Sequence, residues 1–110
     1  MLEDSQFHCL ADAYLEALTD TVETTDREGK IDVDIQEGVL VLEMPSGKQF
    51  VLSKHQPSHQ LWLSSPRSGG LHFHYNQDLS SWELADGRKL SHLLAEELEQ
   101  ETGLQFYFAT

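Results

Sequence analysis

Lys30-Ile31-Asp32-Val33-Asp34-Ile35-Gln36-Glu37-Gly38-Val39-Leu40-Val41-Leu42-Glu43-Met44 is the stretch that decides the fold. Through 30–36 the character alternates at every step. Ile31, Val33 and Ile35 point one way and Asp32 and Asp34 the other, the period of a strand with one buried face. Glu37-Gly38 interrupts the pattern, and an apolar strand resumes over 39–44. Two strands parted by two turn residues predict an antiparallel hairpin.

Downstream the same logic continues. Pro45-Ser46-Gly47 is a second turn before a third strand over 48–54, and Pro57 parts that strand from a fourth over 59–65. Pro66-Arg67-Ser68-Gly69-Gly70 turns the chain into a fifth strand over 71–76, and 81–84 forms a short sixth, closed by Asp86-Gly87. Upstream, 5–22 has the period of an amphipathic helix. Phe7, Leu10, Ala11, Tyr14, Ala17, Leu18 and Val22 fall on one face; Asp4, His8, Asp12, Glu16, Asp20 and Glu23 fall on the other. A second helix is predicted over 90–101, with Leu90, Leu93, Leu94 and Leu98 inward, Glu96, Glu99 and neighbouring acids outward, and Gly103 at its end. The apolar 104–108 is expected to fold back on the core. Helix, five to six antiparallel strands and helix make an α+β chain: a two-layer α-β sandwich with both helices packed on one face of the sheet. Its length suits a single domain over 1–110.

Charge is segregated along this frame. The chain holds 19 acids against 7 bases, a net charge of -12. Residues 1–37 carry most of the acid with only Arg27 and Lys30 against it, whereas 44–77 carry none, but contain Lys48, Lys54, Arg67 and four histidines. Such a field favours cations or basic partners and repels nucleic acid, whose phosphates need a basic footprint. No apolar run approaches the roughly 20 residues needed to span a bilayer. The acidic start, Met1-Leu2-Glu3-Asp4, lacks the features of a signal peptide or a mitochondrial presequence. The expected compartment is the cytoplasm; a matrix protein already stripped of its presequence would look similar.

The first constellation is an acidic ridge. Asp12, Glu16 and Asp20 follow one another at i, i+4, with Glu23 three residues on. Like charges so placed destabilise a helix by about 0.2–0.5 kcal/mol per pair. Asp26, Glu28, Asp32 and Asp34 carry the acid into the loop and first strand, and His8 adds a nitrogen at the other end. Neighbouring carboxylates of this kind suit a hydrated iron, manganese, magnesium or calcium ion bound weakly on a convex surface. They equally suit a basic protein patch, and a charge run is also the ordinary look of a solvated helix face.

The second constellation is Trp62. With Leu61 and Leu63 inward, Gln60, Trp62 and Ser64 lie on the helix-free side of the sheet, beside His72 and His74 of the next strand. A tryptophan among polar groups reads as an interface anchor; the alternative is packing on a neighbouring lysine or arginine stem. His72-x-His74 lacks the carboxylate or cysteine that would complete a metal site. There is no P-loop, no dinucleotide fingerprint and no nucleophile signature. Cys9 lies beside anions that disfavour its thiolate. An enzyme is not expected.

Ser5-Gln6-Phe7-His8 with Leu10-Ala11-Asp12, Ile31-Asp32-Val33-Asp34 with Gly38-Val39-Leu40, and above all Pro57-Ser58-His59-Gln60-Leu61-Trp62-Leu63-Ser64-Ser65-Pro66 followed by Ser68-Gly69-Gly70 resemble the frataxin family, in its bacterial, CyaY-type branch. The likeness runs through almost the whole chain. It implies weak iron binding and a non-enzymatic role in iron–sulfur cluster assembly, through a cysteine desulfurase and its scaffold protein. The ridge supplies Glu16 as a metal-site candidate, and the resemblance adds its weight to His8, Asp12, Asp20, Glu23, Asp26, Glu28, Asp32 and Asp34. Asp20, Glu23, Asp26, Asp32 and Asp34, with Gln60, Trp62 and His72, are the partner-binding candidates. A monomer is expected, with oligomers in the presence of iron. Two other functions stay open: a ferroxidase or iron-storage protein, and a metal-independent acidic interaction module. Ser53-Lys54-His55, His72, Lys30 and Thr24 depart from the family pattern.

Overall fold

Six strands follow one another across a single antiparallel sheet in chain order: β1 (Asp32–Gln36), β2 (Val39–Glu43), β3 (Gln49–His55), β4 (Gln60–Ser65), β5 (Gly69–Asn76) and β6 (Ser81–Glu83). Helices α1 (Asp4–Thr25) and α2 (Leu90–Thr102) bracket them. This computed structural model describes residues 2–109; Met1 and Thr110, the ends of the expected domain, lie outside the described residues. The two-layer α-β sandwich is the one the sequence predicts.

One face of the sheet is the core. Leu40 and Leu42, Phe50 and Leu52, Leu61 and Leu63, Phe73 and Trp82 pack against Phe7, Ala11, Leu15, Leu18 and Val22 of α1 and Leu90, Leu94 and Leu98 of α2. Burying each of the leucine, valine and phenylalanine side chains contributes about 1.5–3 kcal/mol. Phe106 and Phe108 of the C-terminal tail join this core, as expected of so apolar a segment.

Three local expectations are corrected. The buried stripe of α1 includes Leu15 and Thr19, while Ala17 is exposed. A helix facing a broad sheet buries a wide stripe, and the larger Leu15 takes the place the periodicity gave to Ala17. Strand β4 begins one residue late, because Gln56–Ser58 forms a 3-10 turn and His59 sits at φ 52, in left-handed conformation. In α2, Glu97 is buried rather than outward. It accepts a hydrogen bond from Ser65 Oγ at 2.5 Å, and nearby Arg67 Nη1 donates to Glu101 Oε2 at 2.7 Å. Glu97 and Glu101 thus hold the β4–β5 turn to α2.

Candidate functional site: an acidic belt around α1 and β1

Asp12, Glu16, Asp20 and Glu23 are all exposed along α1. The hairpin register decides what they meet. Val33 and Ile35 pair with Leu42 and Leu40 on the helix-side face of the sheet, where Val33 packs on the core but Ile35, expected inward, stays exposed, and Asp32 and Asp34 project from the opposite, helix-free face at the sheet's edge. Two clefts join helix and edge. One is lined by Asp12, Glu16, Ile35, Glu37, Gly38 and Lys54, the other by Glu23, Asp26, Ile31 and Asp32 among others. The belt therefore runs from the helix round the edge of the sheet and onto its outer face.

Sequence reading overlooked Glu37, which it treated as turn filler. Glu37 has φ 48 and Gly38 φ 80, the double positive φ of a type I′ hairpin turn. Glutamate is a poor residue there, since left-handed backbone costs a non-glycine residue roughly 1–2 kcal/mol. That mismatch was the available signal.

Asp26 is the clearest correction among the expected ligands. It caps α1 and is buried, its Oδ1 accepting from Lys30 N–H at 3.1 Å and its Oδ2 from Ile31 N–H at 2.7 Å. A carboxylate with both oxygens committed to backbone donors is a loop fastener. His8 and Asp12 are also engaged: Lys54 Nζ lies 2.7 Å from Asp12 Oδ1 and 3.1 Å from His8 Nδ1. Glu28 lies 3.5 Å from Lys30 Nζ on the surface, a contact of little energetic weight. Glu16, Asp20, Glu23, Asp32 and Asp34 take part in no ion pair among the described residues. Nor do any three His, Cys, Asp or Glu side chains among the described residues converge as a metal-holding group.

The second expected surface is more ordered than an exposed tryptophan. Trp62 pairs with Ser53 on β3 and His72 on β5. Its indole is stacked between two imidazoles: His55 at 3.7 Å between centroids and 11° between planes, His72 at 4.1 Å and 8°. Trp62 Nε1–H donates to Gln60 Oε1 at 2.8 Å, which also accepts from Ser58 Oγ at 3.0 Å. Ser58 Oγ in turn lies 2.7 Å from His55 Nδ1. The indole thus packs on imidazoles and not on a lysine or arginine stem. His55, absent from the expected site, is its second wall. The arrangement is a rigid aromatic platform with little rotamer entropy left to lose on binding.

Residues 1–104 match the frataxin-like domain. The chain belongs to the frataxin family. This frataxin-family chain is 34% identical to the iron-sulfur cluster assembly protein CyaY of Pseudomonas fluorescens (strain SBW25), over 97% of this chain and 96% of that protein. Its fold superposes on the frataxin of Psychromonas ingrahamii with a TM-score of 0.87, covering 99% of this chain and 100% of that one at 24% identity. A trimeric frataxin from the yeast Saccharomyces cerevisiae, complexed with ferrous iron, superposes with a TM-score of 0.75 at 35% identity, over 86% of each chain. Among the described residues of this frataxin-family chain, no helix is long and apolar enough to cross a membrane.

Proposed function

We propose that this frataxin-family chain serves iron–sulfur cluster assembly as a non-enzymatic adaptor. Its acidic belt receives ferrous iron or the basic side chains of a cysteine desulfurase, and its Trp62 platform, with Gln60 and His72, contacts the assembly machinery, the scaffold protein included. The observation that carries this reading is the set Glu16, Asp20, Glu23, Asp32 and Asp34. These carboxylates span helix and sheet edge, and none is in an ion pair among the described residues. The name of the Pseudomonas relative and the ferrous complex of the yeast one support the same assignment.

The donor set fits iron as loosely held cargo. Carboxylate oxygens are hard ligands suited to a hydrated divalent ion. With no three donors converging among the described residues, such an ion would keep much of its water. The same openness favours a second reading, in which the belt chiefly docks a basic protein surface and metal affinity is incidental.

Anaerobic titration with ferrous iron, followed through backbone amide signals, tests the first reading. Broadening should follow Glu16 to Glu23 and Asp32 to Asp34; a titration that broadens nothing there removes the metal half. Capture of cysteine desulfurase at low and high salt tests the docking half. Exposed charges are screened beyond a Debye length of about 8 Å at physiological ionic strength, so capture should fall steeply as salt rises. Salt-independent capture, or none, would count against the belt. Regulation of desulfurase turnover that is unchanged by iron would select the second reading.

A further inference from the structure

Lys54 stands apart from the other cations of the chain. In β3 it continues the row Phe50, Leu52, Lys54, whose first two members are core residues. The same row sends the lysine stem beneath α1 instead of out to solvent, and its side chain is only 17% exposed. The stem runs across Gly38, whose carbonyl accepts Lys54 N–H at 3.0 Å. A Cβ added at Gly38 would stand 2.4 Å from Lys54 Cε. A side chain at Gly38 would push the flexible lysine end aside, while the φ of 80° is what favours glycine there. The stem is guided, and its ammonium arrives between His8 and Asp12, one helical turn apart on α1.

The chemistry of this contact constrains His8. An ammonium only donates hydrogen bonds, so Nδ1 must be the accepting nitrogen. The ring in this contact is then the neutral Nε2–H tautomer, whose single in-plane lone pair is already taken. No lone pair remains for a metal ion, and one oxygen of the adjacent Asp12 carboxylate is held by the same ammonium. Glu16, in the same cleft one turn further along, has no such partner among the described residues.

We propose that Lys54 is a tethered cation that closes the His8–Asp12 end of the ridge to incoming cations, confining external metal ions or basic side chains to the part from Glu16 to Asp34. This rests on the belt being a cation-receiving surface and adds where on it the cation is allowed to land. Lys54 is a specificity-setting residue here: an external ion reaches His8 only by displacing the ammonium, and the tether keeps that ammonium at high local concentration.

The full chain carrying Lys54→Met, which keeps most of the stem and removes the charge, tests the idea beside Lys54→Arg, which keeps the charge. Manganese(II) is the paramagnetic probe. In the unaltered protein and in Lys54→Arg, broadening should be strongest from Glu16 to Asp34 and fall off from Glu16 through Asp12, one turn away, toward the His8 ring. In Lys54→Met the His8 ring should broaden as strongly as Glu16, with affinity at that end raised at least tenfold. Equal broadening of His8 and Glu16 in the unaltered protein overturns the proposal, as does a Lys54→Met profile that never reaches His8. Broadening missing from Glu16 to Asp34 in the unaltered protein would overturn the cation reading of the belt alone; the Lys54→Met result at His8 still decides the lysine's role. A long-range proton–nitrogen correlation of the His8 ring needs no variant and no metal. It should show Nε2–H with a bare Nδ1, and the opposite tautomer sinks the proposal even if Lys54→Met fails to fold.

Discussion

The two ends of α1 carry similar acid and treat it oppositely. At the N-terminal end every acid of the exposed face is held. Asp4 Oδ1 lies 2.6 Å from His59 Nε2 and Asp4 Oδ2 accepts from Gln56 Nε2 at 3.0 Å, while Asp12 is paired with Lys54. His59 also stacks on buried Phe7 at 5.1 Å, which fixes this end of the helix to the 3-10 turn. Beyond Asp12, Glu16, Asp20 and Glu23 have no ion-pair partner among the described residues. The last turn carries no basic residue to offset the helix dipole either. Formal charge along a helix thus says little about available charge. The basic groups that the acid-free segment 44–77 contributes reach one end of α1 and not the other.

The sharpest way to test that division is to change one aspartate of each kind. Asp26→Ala strands one buried and one part-buried backbone donor that a charged acceptor now satisfies, and should cost about 2–3 kcal/mol in denaturant unfolding. Asp20→Ala, on the unpaired stretch, should stay within about 0.5 kcal/mol of the parent. Equal costs would mean that the belt acids are structural too. A smaller, pH-dependent effect belongs to Asp4, whose carboxyl is held below its ordinary value of 3.8, first by the hydrogen bond from His59. A depressed carboxyl pKa adds stability above the ordinary range that is lost as pH falls through the folded value. Asp4→Asn should therefore be less stable than the parent at neutral pH, with the gap closing as both are acidified below that range. A gap that persists or widens in acid would contradict the clamp. The smallest effect is expected from Glu16→Gln combined with Asp20→Asn. Relief of i, i+4 repulsion should stabilise the isolated fold by a few tenths of a kcal/mol, most visibly at low salt, while iron and desulfurase binding fall. A loss of stability at low salt would break the picture of an uncompensated strip.

Much of this molecule is written in local pattern. Alternation over 30–36 and the Glu37-Gly38 turn specify a hairpin whatever surrounds it, because a one-residue slip would turn Asp32 and Asp34 into the core. The faces of β4 and β5 follow from the same rule, which is why Trp62 and His72 could be placed on the outer surface from residue order alone. The i, i+4 spacing of a helix likewise lined up Asp12, Glu16 and Asp20. Local pattern also has its limit: it misassigned Leu15 and Ala17, since the width of a buried stripe depends on the breadth of what it packs against.

What residue order by itself determined is the α+β sandwich, the outward tryptophan and the existence of an acidic edge. Tertiary structure alone decided which acids remain unpaired. Asp26 turns in to fasten the loop after α1, Lys54 crosses from β3 over Gly38 to meet His8 and Asp12, and His55 closes the second side of Trp62. Each of these contacts joins groups from different elements or turns on the geometry of a loop. The physical reason is range: periodicity reports which way a side chain points, while pairing depends on which distant group the folded chain brings within about 3 Å of it.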